Sequence, residues 1–286
     1  MNILLTGANG FIGQHLFKML KSYNYNVIGI SKTGNNCIKC DITKYKKLEK
    51  VISQNNIDMI IHLAAFISSD KKYKIKIYNV NVKGTENLLK AGKKAKIKGF
   101  IYISSMSIYG KQIHTPVTEE HNKQPSDYYG KSKLEGEEIC QKYKGKFNII
   151  ILRFAGVFGH GKNQGAVYNF VVNALKSKDL YVHNDGSQTH DFVYINDAVR
   201  SVILALRKIK KIKFDIFNIG SGMGISVKEL ANLIIKICNS NSRLLFDKNN
   251  KNKQKFLLDI HKAKKILNYK PTPFAINLKY FINGIK

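Results

Sequence analysis

The sequence predicts an α/β fold built on a doubly wound parallel sheet. Short β-like runs alternate with helical stretches from the first residues onward. Most of these runs are continuously apolar and rich in Ile and Val, which is typical of strands covered on both faces. A glycine-rich turn follows the first run. Alternation of this kind indicates parallel strands joined by crossover helices.

Six β-like runs and the helices between them define the expected sheet. The predicted strands cover residues 2–6, 26–30, 59–64, 100–104, 148–154 and 214–220. Apolar residues at helical spacing predict helices over 11–23, 83–95 and 128–143. After about residue 155 the alternation loosens, and further helices are predicted over 166–177 and 226–238. We expect this C-terminal part to supply a smaller lobe.

Length and composition indicate a folded, globular protein. The chain has 286 residues, of which 44% are apolar, so it can bury a large core. Its first segment lacks a basic leader, and the apolar run ends at Thr6. No apolar stretch approaches the roughly 20 residues that span a bilayer. We therefore expect a soluble, cytoplasmic protein without a membrane partner.

The formal net charge of +29 is carried almost entirely by lysine. The chain contains 44 Lys and four Arg, whereas proteins that read bases or phosphates favour the planar, bidentate Arg side chain. We interpret lysine clusters such as 71–76 and 208–213 as solvated surfaces. The composition therefore predicts no specific nucleic-acid partner, although a positive field would attract an anionic substrate.

The cysteines predict no metal centre. Cys37 and Cys40 form a C-x-x-C pattern, which can indicate zinc or a redox pair. A structural zinc takes four ligands, and no second C-x-x-C or H-x-H pattern follows. We therefore expect reduced, incidental thiols in this segment.

The segment TGANGFIG, residues 6–13, joins the first predicted strand to the first helix. Gly7 permits a tight turn, Gly10 lets a pyrophosphate approach the backbone, and Gly13 lets helix and strand pack closely. The phosphates would lie at the positive end of the helix. In this context the pattern predicts a Rossmann-like dinucleotide-binding domain. We expect that domain to comprise 1–156 and about 191–221, with a substrate-binding lobe formed by 157–190 and 222–286.

Further motifs follow in a fixed order along the chain. They are HLAA (62–65), NVKGTENLL (81–89), YISSMSIYG (102–110), YYGKSK (128–133), LRFAGVFG (152–159), GSQTHDFVYINDAV (186–199), NIGSG (218–222) and DIHKAKKILNYKP (259–271). Together with the G-x-x-G-x-x-G turn, they resemble the extended short-chain dehydrogenase/reductase family, in its NAD-dependent epimerase/dehydratase group. The resemblance covers nearly the whole chain. It implies a homodimeric enzyme that binds NAD(P) and modifies a sugar linked to a nucleoside diphosphate.

The resemblance also implies which residues contact the cofactor. Asp41 matches the family's adenine-contacting Asp, Asn81 would support the nicotinamide end, and Lys133 would hold the nicotinamide ribose. His62 resembles a structural position beside the cofactor. The full set implied for cofactor binding is Gly7, Gly10, Phe11, Ile12, Gly13, Ser31, Lys32, Asp41, Ile42, Leu63, Ala64, Ala65, Asn81, Tyr129 and Lys133.

Two adjacent tyrosines begin the helix predicted over 128–143, and one of them fits the family's Y-x-x-x-K pattern. Tyr129 has Lys133 on the same helical face, whereas Tyr128 would need a lysine where Ser132 stands. An ammonium about 4 Å away, at an effective dielectric of about 20, is worth roughly 4 kcal/mol. That could lower the phenol pKa from about 10 by up to about three units. We therefore expect Tyr129 to act in proton transfer.

A catalytic hydroxyl is implied four residues before the Tyr-Gly of YISSMSIYG. That position is Ser105, with Ser104 and Ser107 as alternatives. A hydroxyl there could hydrogen-bond the reacting oxygen and orient it toward Tyr129. The 4,6-dehydratases of the family have Asp-Glu directly after this hydroxyl, where this chain has Met106 and Ser107. Without those carboxylates, dehydration is not expected.

The end of the second predicted strand bears on the choice between NAD and NADP. A fold that prefers NAD usually places Asp or Glu about 20 residues after the glycines, to bind the ribose 2′-hydroxyl. This chain has Ser31, Lys32 and Thr33 instead, which suit a 2′-phosphate. The sequence therefore favours NADP(H), with NAD(H) as the alternative if Lys32 points into solvent.

Two positions depart from the pattern of the family's epimerases. Gly156 stands where these have a substrate-binding Asn, and His190 where the family has an Arg that clamps the diphosphate bidentately. The candidate substrate-binding residues are Ser105, Gly156 and His190. The departures favour a 4-keto nucleotide-sugar reductase, with Tyr129 as proton donor, over a 4-epimerase with tightly bound NAD. A dinucleotide-sensing or nucleic-acid-binding protein is the third alternative, but it would not need the catalytic residues.

Overall fold

In the computed structural model, which describes residues 1–34, 36–111, 114–247 and 255–285, the chain divides into two units. The first consists of Met1–Lys111, His121–Arg153 and Val199–Phe217, and the second of Gln112–Glu120, Phe154–Ala198 and Asn218–Lys286. The assignment of cofactor and substrate binding to separate parts of the chain remains a prediction.

The strands and helices of the described residues alternate along the chain. The strands are β1 Asn2–Thr6, β2 Asn26–Ser31, β3 Ile38–Lys39, β4 Met59–His62, β5 Gly99–Ser105, β6 Asn148–Phe154, β7 Gly156–Phe158, β8 Leu180–His183, β9 Thr189–Tyr194, β10 Phe214–Ile219, β11 Gly224–Ser226 and β12 Leu244–Asp247. The α-helices are α1 Phe11–Ser22, α2 Tyr45–Gln54, α3 Lys74–Ile77, α4 Gly84–Lys94, α5 Tyr128–Lys142, α6 Ala166–Leu175, α7 Ile195–Lys208, α8 Val227–Cys238 and α9 Phe274–Asn283. A π-helical turn, Tyr78–Lys83, joins α3 to α4, and a 3-10 turn, Met106–Tyr109, follows β5.

The first unit is built on a seven-stranded sheet in the order β10-β6-β5-β4-β1-β2-β3. Strand β1 pairs in parallel with β2 on one side and with β4 on the other, and the pairs β2/β3 and β4/β5 are also parallel. Between β1 and β4 the order of strands reverses direction, which makes the ends of these strands the switch point where ligands of open α/β sheets bind. The predicted α/β, Rossmann-like doubly wound sheet is confirmed.

The apolar strand sequences reflect burial on both faces of this sheet. In β1, the side chains of Ile3, Leu4 and Leu5 are all fully buried. The same holds for Phe100 and Ile101 in β5. Because alternate residues of a strand point to opposite faces, a run of buried apolar residues needs helices on both sides of the sheet.

The second unit contains a three-stranded sheet, β11-β9-β7, and the strand pair β12-β8. Helix α8 begins with a capping box, in which Ser226 accepts a 3.1 Å hydrogen bond from the Glu229 N–H and the Glu229 carboxylate accepts one of 2.8 Å from the Ser226 N–H. Buried Asp191 accepts hydrogen bonds from the Ser221 and Leu258 N–H groups, at 2.8 and 3.3 Å. In the parts of the chain that are described, no helix is long and apolar enough to cross a bilayer.

Candidate active site

Two positions of the glycine turn between β1 and α1 leave no space for a side chain. Gly7 has a φ of +69°, and a Cβ there would lie 2.9 Å from the Ala64 backbone nitrogen. A Cβ on Gly13 would lie 2.1 Å from the Gly7 carbonyl oxygen. Gly7 is therefore required by both conformation and close approach, and Gly13 by the packing of α1 against the turn.

The N-terminus of α1 offers unoccupied backbone donors. Gly10 is the N-cap residue, and within the described residues no side chain caps the helix and no acid lies in its first turn. The first N–H groups of a helix, here including Phe11 and Ile12, have no intrahelical acceptor, and the helix dipole favours an anion beside them. Leu63 and Ala65 follow β4 at the same edge of the sheet. The backbone N–H groups at the start of α1 therefore fit the pyrophosphate of a dinucleotide.

The residues after β2, where the adenosine ribose is expected, form a polar rim. The Ser31 hydroxyl lies 3.1 Å from the Asn9 amide nitrogen and accepts a 3.0 Å hydrogen bond from the Gly34 N–H. Lys32 is 75% exposed, and its Nζ lies 3.8 Å from the Asp41 carboxylate. The positive charge of Lys32, which was expected to contact a 2′-phosphate, is therefore partly offset by the Asp41 carboxylate.

Asp41 and Ile42 lie in the loop that follows β3. Asp41 Oδ1 accepts hydrogen bonds from the N–H and the hydroxyl of Thr43, at 2.9 and 2.8 Å. Burial alone would raise the pKa of Asp41, but these hydrogen bonds and the charge of Lys32 lower it below its usual value. Ile42 is buried, with its side chain against Gly84. The loop thus presents an ionised carboxylate beside the rim.

Helix α5 and strand β5 bring the predicted catalytic residues together. Asp127 caps α5 by accepting a 2.6 Å hydrogen bond from the Gly130 N–H, which fixes the first helical turn where Tyr129 lies. Ser105 ends β5, and its hydroxyl donates to Ser107 Oγ at 3.1 Å. The Ser105 hydroxyl is also near enough to the Tyr129 hydroxyl to act to lower the pKa of Tyr129.

The expected lowering of the Tyr129 pKa by Lys133 is wrong. Burial of the hydroxyl outweighs the effect of Ser105 and raises the pKa of Tyr129 to about 12. Burial also lowers the pKa of Lys133 to about 7, with the nearby charge of Glu137 acting in the opposite direction. Lys133 is therefore only partly charged near neutral pH, and the phenol lacks the full ammonium that the spacing suggested.

The Lys133 ammonium lies over an aromatic ring. The ammonium lies 4.2 Å from the centroid of the Tyr102 ring, in the range of a cation–π interaction. It makes no hydrogen bond or ion pair to any residue that the structure describes, although the side chain is only 3% exposed. Lys133 is thus a buried amine with unused hydrogen-bonding capacity, one helical turn from Tyr129.

Asn81 lies in the π-helical turn, and protein groups occupy its amide. Its Oδ1 accepts a 2.7 Å hydrogen bond from the Phe66 N–H, and its Nδ2 donates to the Phe66 carbonyl and to Ser132 Oγ at 3.0 and 2.9 Å. Asn81 thereby ties the segment after Ala65 to helix α5. A direct cofactor contact by this side chain stays a prediction.

Gly156 and His190 lie in the second unit. Gly156 pairs with Phe192 between β7 and β9, and a Cβ at Gly156 would lie 3.2 Å from the Phe192 ring. His190 on β9 has its ring centroid 5.8 Å from that of Phe192. Burial lowers the pKa of His190 below its usual 6.5, so the ring is neutral at pH 7. A neutral imidazole supplies one donor and one acceptor, unlike the bidentate, charged guanidinium.

Sequence reasoning missed a buried ion pair one helical turn beyond Lys133. Glu137 accepts hydrogen bonds from Arg153 Nε at 3.0 Å and from Arg153 Nη2 at 2.7 Å, and the Ser104 hydroxyl donates to the same carboxylate at 2.5 Å. Arg153 Nη1 also donates to the Tyr109 hydroxyl at 2.8 Å. The sequence did contain a signal for this pair, because an acidic residue lies four positions after Lys133 and therefore on the same face of α5.

A Rossmann-like sheet with a glycine turn at its switch point and a tyrosine–lysine pair on one helix defines a dinucleotide-dependent enzyme of the short-chain dehydrogenase/reductase class. Comparison with known proteins narrows this class. The family profile described as "NAD dependent epimerase/dehydratase family" matches residues 3–220. The chain belongs to this family, whose enzymes act on nucleotide sugars.

Three similar proteins illustrate the relationship. A putative UDP-glucose 4-epimerase of Methanocaldococcus jannaschii is 33% identical over 304 aligned residues, covering 99% of this chain and 96% of that protein. The crystal structure of UDP-glucose 4-epimerase from Thermotoga maritima with UDP-glucose has a TM-score of 0.91 at 27% identity, covering 100% of this chain and 98% of the other. That of UDP-glucuronic acid 4-epimerase from Bacillus cereus, in complex with UDP-glucuronic acid and NAD, has a TM-score of 0.87 at 32% identity, covering 100% of both chains.

Proposed function

We propose that this protein is a UDP-sugar 4-epimerase that keeps NAD bound through its reaction cycle. The observation that carries the proposal is similarity over the whole chain to epimerases of UDP-glucose and UDP-glucuronic acid. The proximity of Ser105 to Tyr129 supports it, because epimerisation needs a proton-transfer group and an orienting hydroxyl. None of the three relatives named above is described as a reductase, so the comparisons favour the epimerase over the reductase that the sequence suggested.

The chain's own residues supply the proton chemistry of this reaction. A bound NAD, held at the turn of Gly7, Gly10 and Gly13, would supply the reversible hydride transfer at C4 that this reaction needs. Tyr129 takes the proton of the C4 hydroxyl and later gives it back. Ser105 holds the C4 oxygen in line with Tyr129 through a hydrogen bond. Met106 and Ser107 provide no carboxylate for the elimination of water, which argues against a 4,6-dehydratase.

We propose NAD(H), rather than NADP(H), as the working cofactor. The family is NAD-dependent, and the Bacillus cereus relative was solved with NAD. The Lys32 ammonium, which suggested NADP(H), lies 3.8 Å from the Asp41 carboxylate, so the rim offers a 2′-phosphate less net positive charge than the sequence suggested.

We also propose a homodimer, as the family resemblance implies. A candidate face lies along α3 and the start of α5, where Ile75 is 75% exposed and Tyr78 is 42% exposed. Lys74 and Lys131 flank the Tyr128 ring on this face, at 5.5 and 5.9 Å from its centroid. Exposed apolar side chains ringed by charge are typical of association surfaces.

The proposed activity is tested by chromatographic separation of UDP-sugars without added cofactor. UDP-galactose and UDP-glucose should interconvert, or UDP-galacturonate and UDP-glucuronate, and denaturation of the protein should release NAD. The Tyr129→Phe variant, with its NAD content measured, is the control for background. Oxidation of NADPH by a 4-keto-6-deoxy nucleotide sugar, without interconversion of either pair, would instead establish the reductase.

A further inference from the structure

A continuous chain of buried hydrogen bonds runs from the glycine turn to the catalytic helix. Thr6, directly before the turn, bonds through its hydroxyl to His62 Nδ1 at 2.8 Å, and His62 Nε2 bonds to the Thr85 hydroxyl at 2.9 Å. The Thr85 hydroxyl donates to the Asn81 carbonyl at 2.6 Å. All four residues are at most 1% exposed.

The far end of this chain reaches the backbone of Tyr129. Asn81 Nδ2 donates to Ser132 Oγ at 2.9 Å, and the Ser132 hydroxyl donates to the Tyr129 carbonyl at 2.7 Å. The chain therefore joins four elements: β1, β4, the segment from the π-helical turn into α4, and α5. We call the residues Thr6, His62, Thr85, Asn81 and Ser132 the buried relay.

The distances in the buried relay fix the tautomer of His62. The Asn81 carbonyl can only accept, so at 2.6 Å the Thr85 hydroxyl must give it its single proton. The Thr85 oxygen must then accept from His62, which places the imidazole proton on Nε2. His62 Nδ1 is left as an acceptor and takes the Thr6 hydroxyl proton. Thr6 Oγ1 in turn accepts a 3.1 Å hydrogen bond from the Ala64 N–H.

A neutral His62 agrees with its surroundings. Burial, with a smaller effect of the Lys133 charge, lowers the pKa of His62 well below 6.5. A second proton on Nδ1 would point at a Thr6 hydroxyl that already donates to that nitrogen. Every donor in the relay meets an acceptor only when His62 is neutral and in the Nε2–H form.

We propose that the buried relay positions Tyr129 relative to the glycine turn, and that His62 and Thr85 are its positioning residues. This inference rests on the proposed function, in which Tyr129 transfers the proton while the cofactor lies on the glycine turn. In that reaction the hydride would move at C4 and the proton at the oxygen bonded to C4, so the separation of α5 from the turn controls the reacting geometry. Within the relay, Thr85 connects the residues near the glycine turn with those near α5, because its hydroxyl both accepts from His62 and donates to Asn81.

The test compares Thr85→Val, which removes the hydroxyl at nearly constant shape, with Thr85→Ser, which keeps it. In Thr85→Val, kcat for UDP-sugar interconversion should fall about 10- to 100-fold, the scale of a small misplacement of reacting groups. Affinity for NADH, followed by fluorescence titration, should change less than threefold, because Thr6, His62 and Ala64 remain bonded at the turn. Thr85→Ser should recover most of the kcat.

Ser132→Ala breaks the last two links, the bond from Asn81 and the bond to the Tyr129 carbonyl, and serves if Thr85→Val fails to fold. It should lower kcat in the same way and leave NADH affinity unchanged. Unchanged kcat in the folded variants, or an equal loss of kcat and NADH affinity, would overturn the inference, since the second result describes general destabilisation.

Hydrogen exchange separates this inference from the proposed function. Peptides that contain Tyr129 and Ser132 should exchange faster in Thr85→Val than in Thr85→Ser, whether or not a UDP-sugar is turned over. If the wild-type protein interconverts no UDP-sugar but this difference in exchange appears, the proposed function fails and the relay stands. Equal exchange in both variants would show that the buried relay does not position Tyr129, even if the protein is an active epimerase.

Discussion

Burial shifts the pKa values of Tyr129 and Lys133 in opposite directions, and both shifts favour the neutral side chain. The pKa of Tyr129 is raised to about 12 and that of Lys133 is lowered to about 7. A tyrosine with so high a pKa is a poor base near pH 7, so in the proposed reaction the bound cofactor and substrate would have to complete its activation. The Ser105 hydroxyl already acts in the needed direction.

The assignment of Tyr129 over its neighbour can be tested directly. Tyr129→Phe should lower kcat by at least about 100-fold, the scale of losing a proton-transfer group, while NADH still binds. Tyr128→Phe, the matched control, keeps the aromatic ring that Lys74 and Lys131 flank and should retain most of the activity. Equal activities in the two variants would show that the proton-transfer group lies elsewhere.

The buried amine of Lys133 should make stability depend on pH. Its pKa is about 7 in the folded protein against 10.5 as an ordinary lysine, so between these values the unfolded chain binds a proton that the folded protein does not. Stability contributed by this residue therefore rises with pH across that window, and below about pH 7 the folded protein carries the full cost of a buried charge.

Lys133→Met removes this cost and should be more stable than the wild type at pH 6, by a few kcal/mol at about 1.4 kcal/mol per pKa unit. The advantage should shrink as pH approaches 10.5. Urea unfolding at pH 6, 8 and 10 measures it, with exposed Lys131→Met as the control that should show no such trend. An advantage independent of pH would mean that the Lys133 pKa is not depressed.

The sequence predicted which residues face each other on α5 but not how their pKa values shift. The i, i+4 spacing of Tyr129 and Lys133 is a local property of a helix, so it could be read directly. The shifts depend on what covers the side chains, and Tyr102, which packs against the Lys133 ammonium, comes from a distant strand. The tautomer of His62 likewise follows only from contacts with other elements.

At the scale of elements, α5 is held to the sheet by the buried Glu137–Arg153 pair. The carboxylate of Glu137 receives Arg153 from β6 and Ser104 from β5, so one side chain ties the helix of Tyr129 to two strands. Ser104 directly precedes Ser105 in the chain, and Lys133 lies one helical turn before Glu137. The pair therefore ties together the elements on which the candidate catalytic residues Ser105 and Tyr129 lie.

Glu137→Gln should be strongly destabilising, because it leaves the Arg153 guanidinium buried without its carboxylate. Breaking a buried pair typically costs about 3–5 kcal/mol. The neighbouring exposed Glu138→Gln is the matched control and should change stability by less than about 0.5 kcal/mol. Urea unfolding of both variants at pH 7 gives the comparison, and similar midpoints would show that Arg153 finds another partner.

Some elements were predicted closely, and others were missed for identifiable reasons. The strand predicted over 148–154 matches β6, and the helix predicted over 128–143 matches α5 to within one residue. Helix α2 was missed because its apolar stripe consists of only Leu48, Val51 and Ile52 in a lysine-rich segment. The π-helical turn was not predicted, because such turns are rare and no residue pattern in this segment indicates one.

At the scale of the whole molecule, the charge of +29 suits an enzyme that draws in anionic substrates. A nucleoside diphosphate sugar is such a substrate, and the helix N-terminus of α1 would add backbone donors for the phosphates of a dinucleotide. Many of the lysines lie on exposed positions, and several pair with nearby acids, such as Lys94 with Glu49 at 2.8 Å. This distribution fits a diffuse positive potential around the protein better than a concentrated basic patch that binds nucleic acid.

The proposed homodimer gives a last prediction at this scale. Ile75 is 75% exposed on the face of α3, and its burial against a second copy would be favourable at about 25 cal/mol for each Å² of apolar surface removed from water. Ile75→Glu would place a charge in that interface and should convert a dimer to a monomer in light scattering at micromolar concentration. Tyr280→Glu, which changes another exposed apolar residue (64% exposed) on α9, is the control and should remain dimeric. If the wild-type protein is a monomer, the proposed homodimer is wrong. If the dimer tolerates Ile75→Glu but dissociates with Tyr280→Glu, the association surface lies elsewhere.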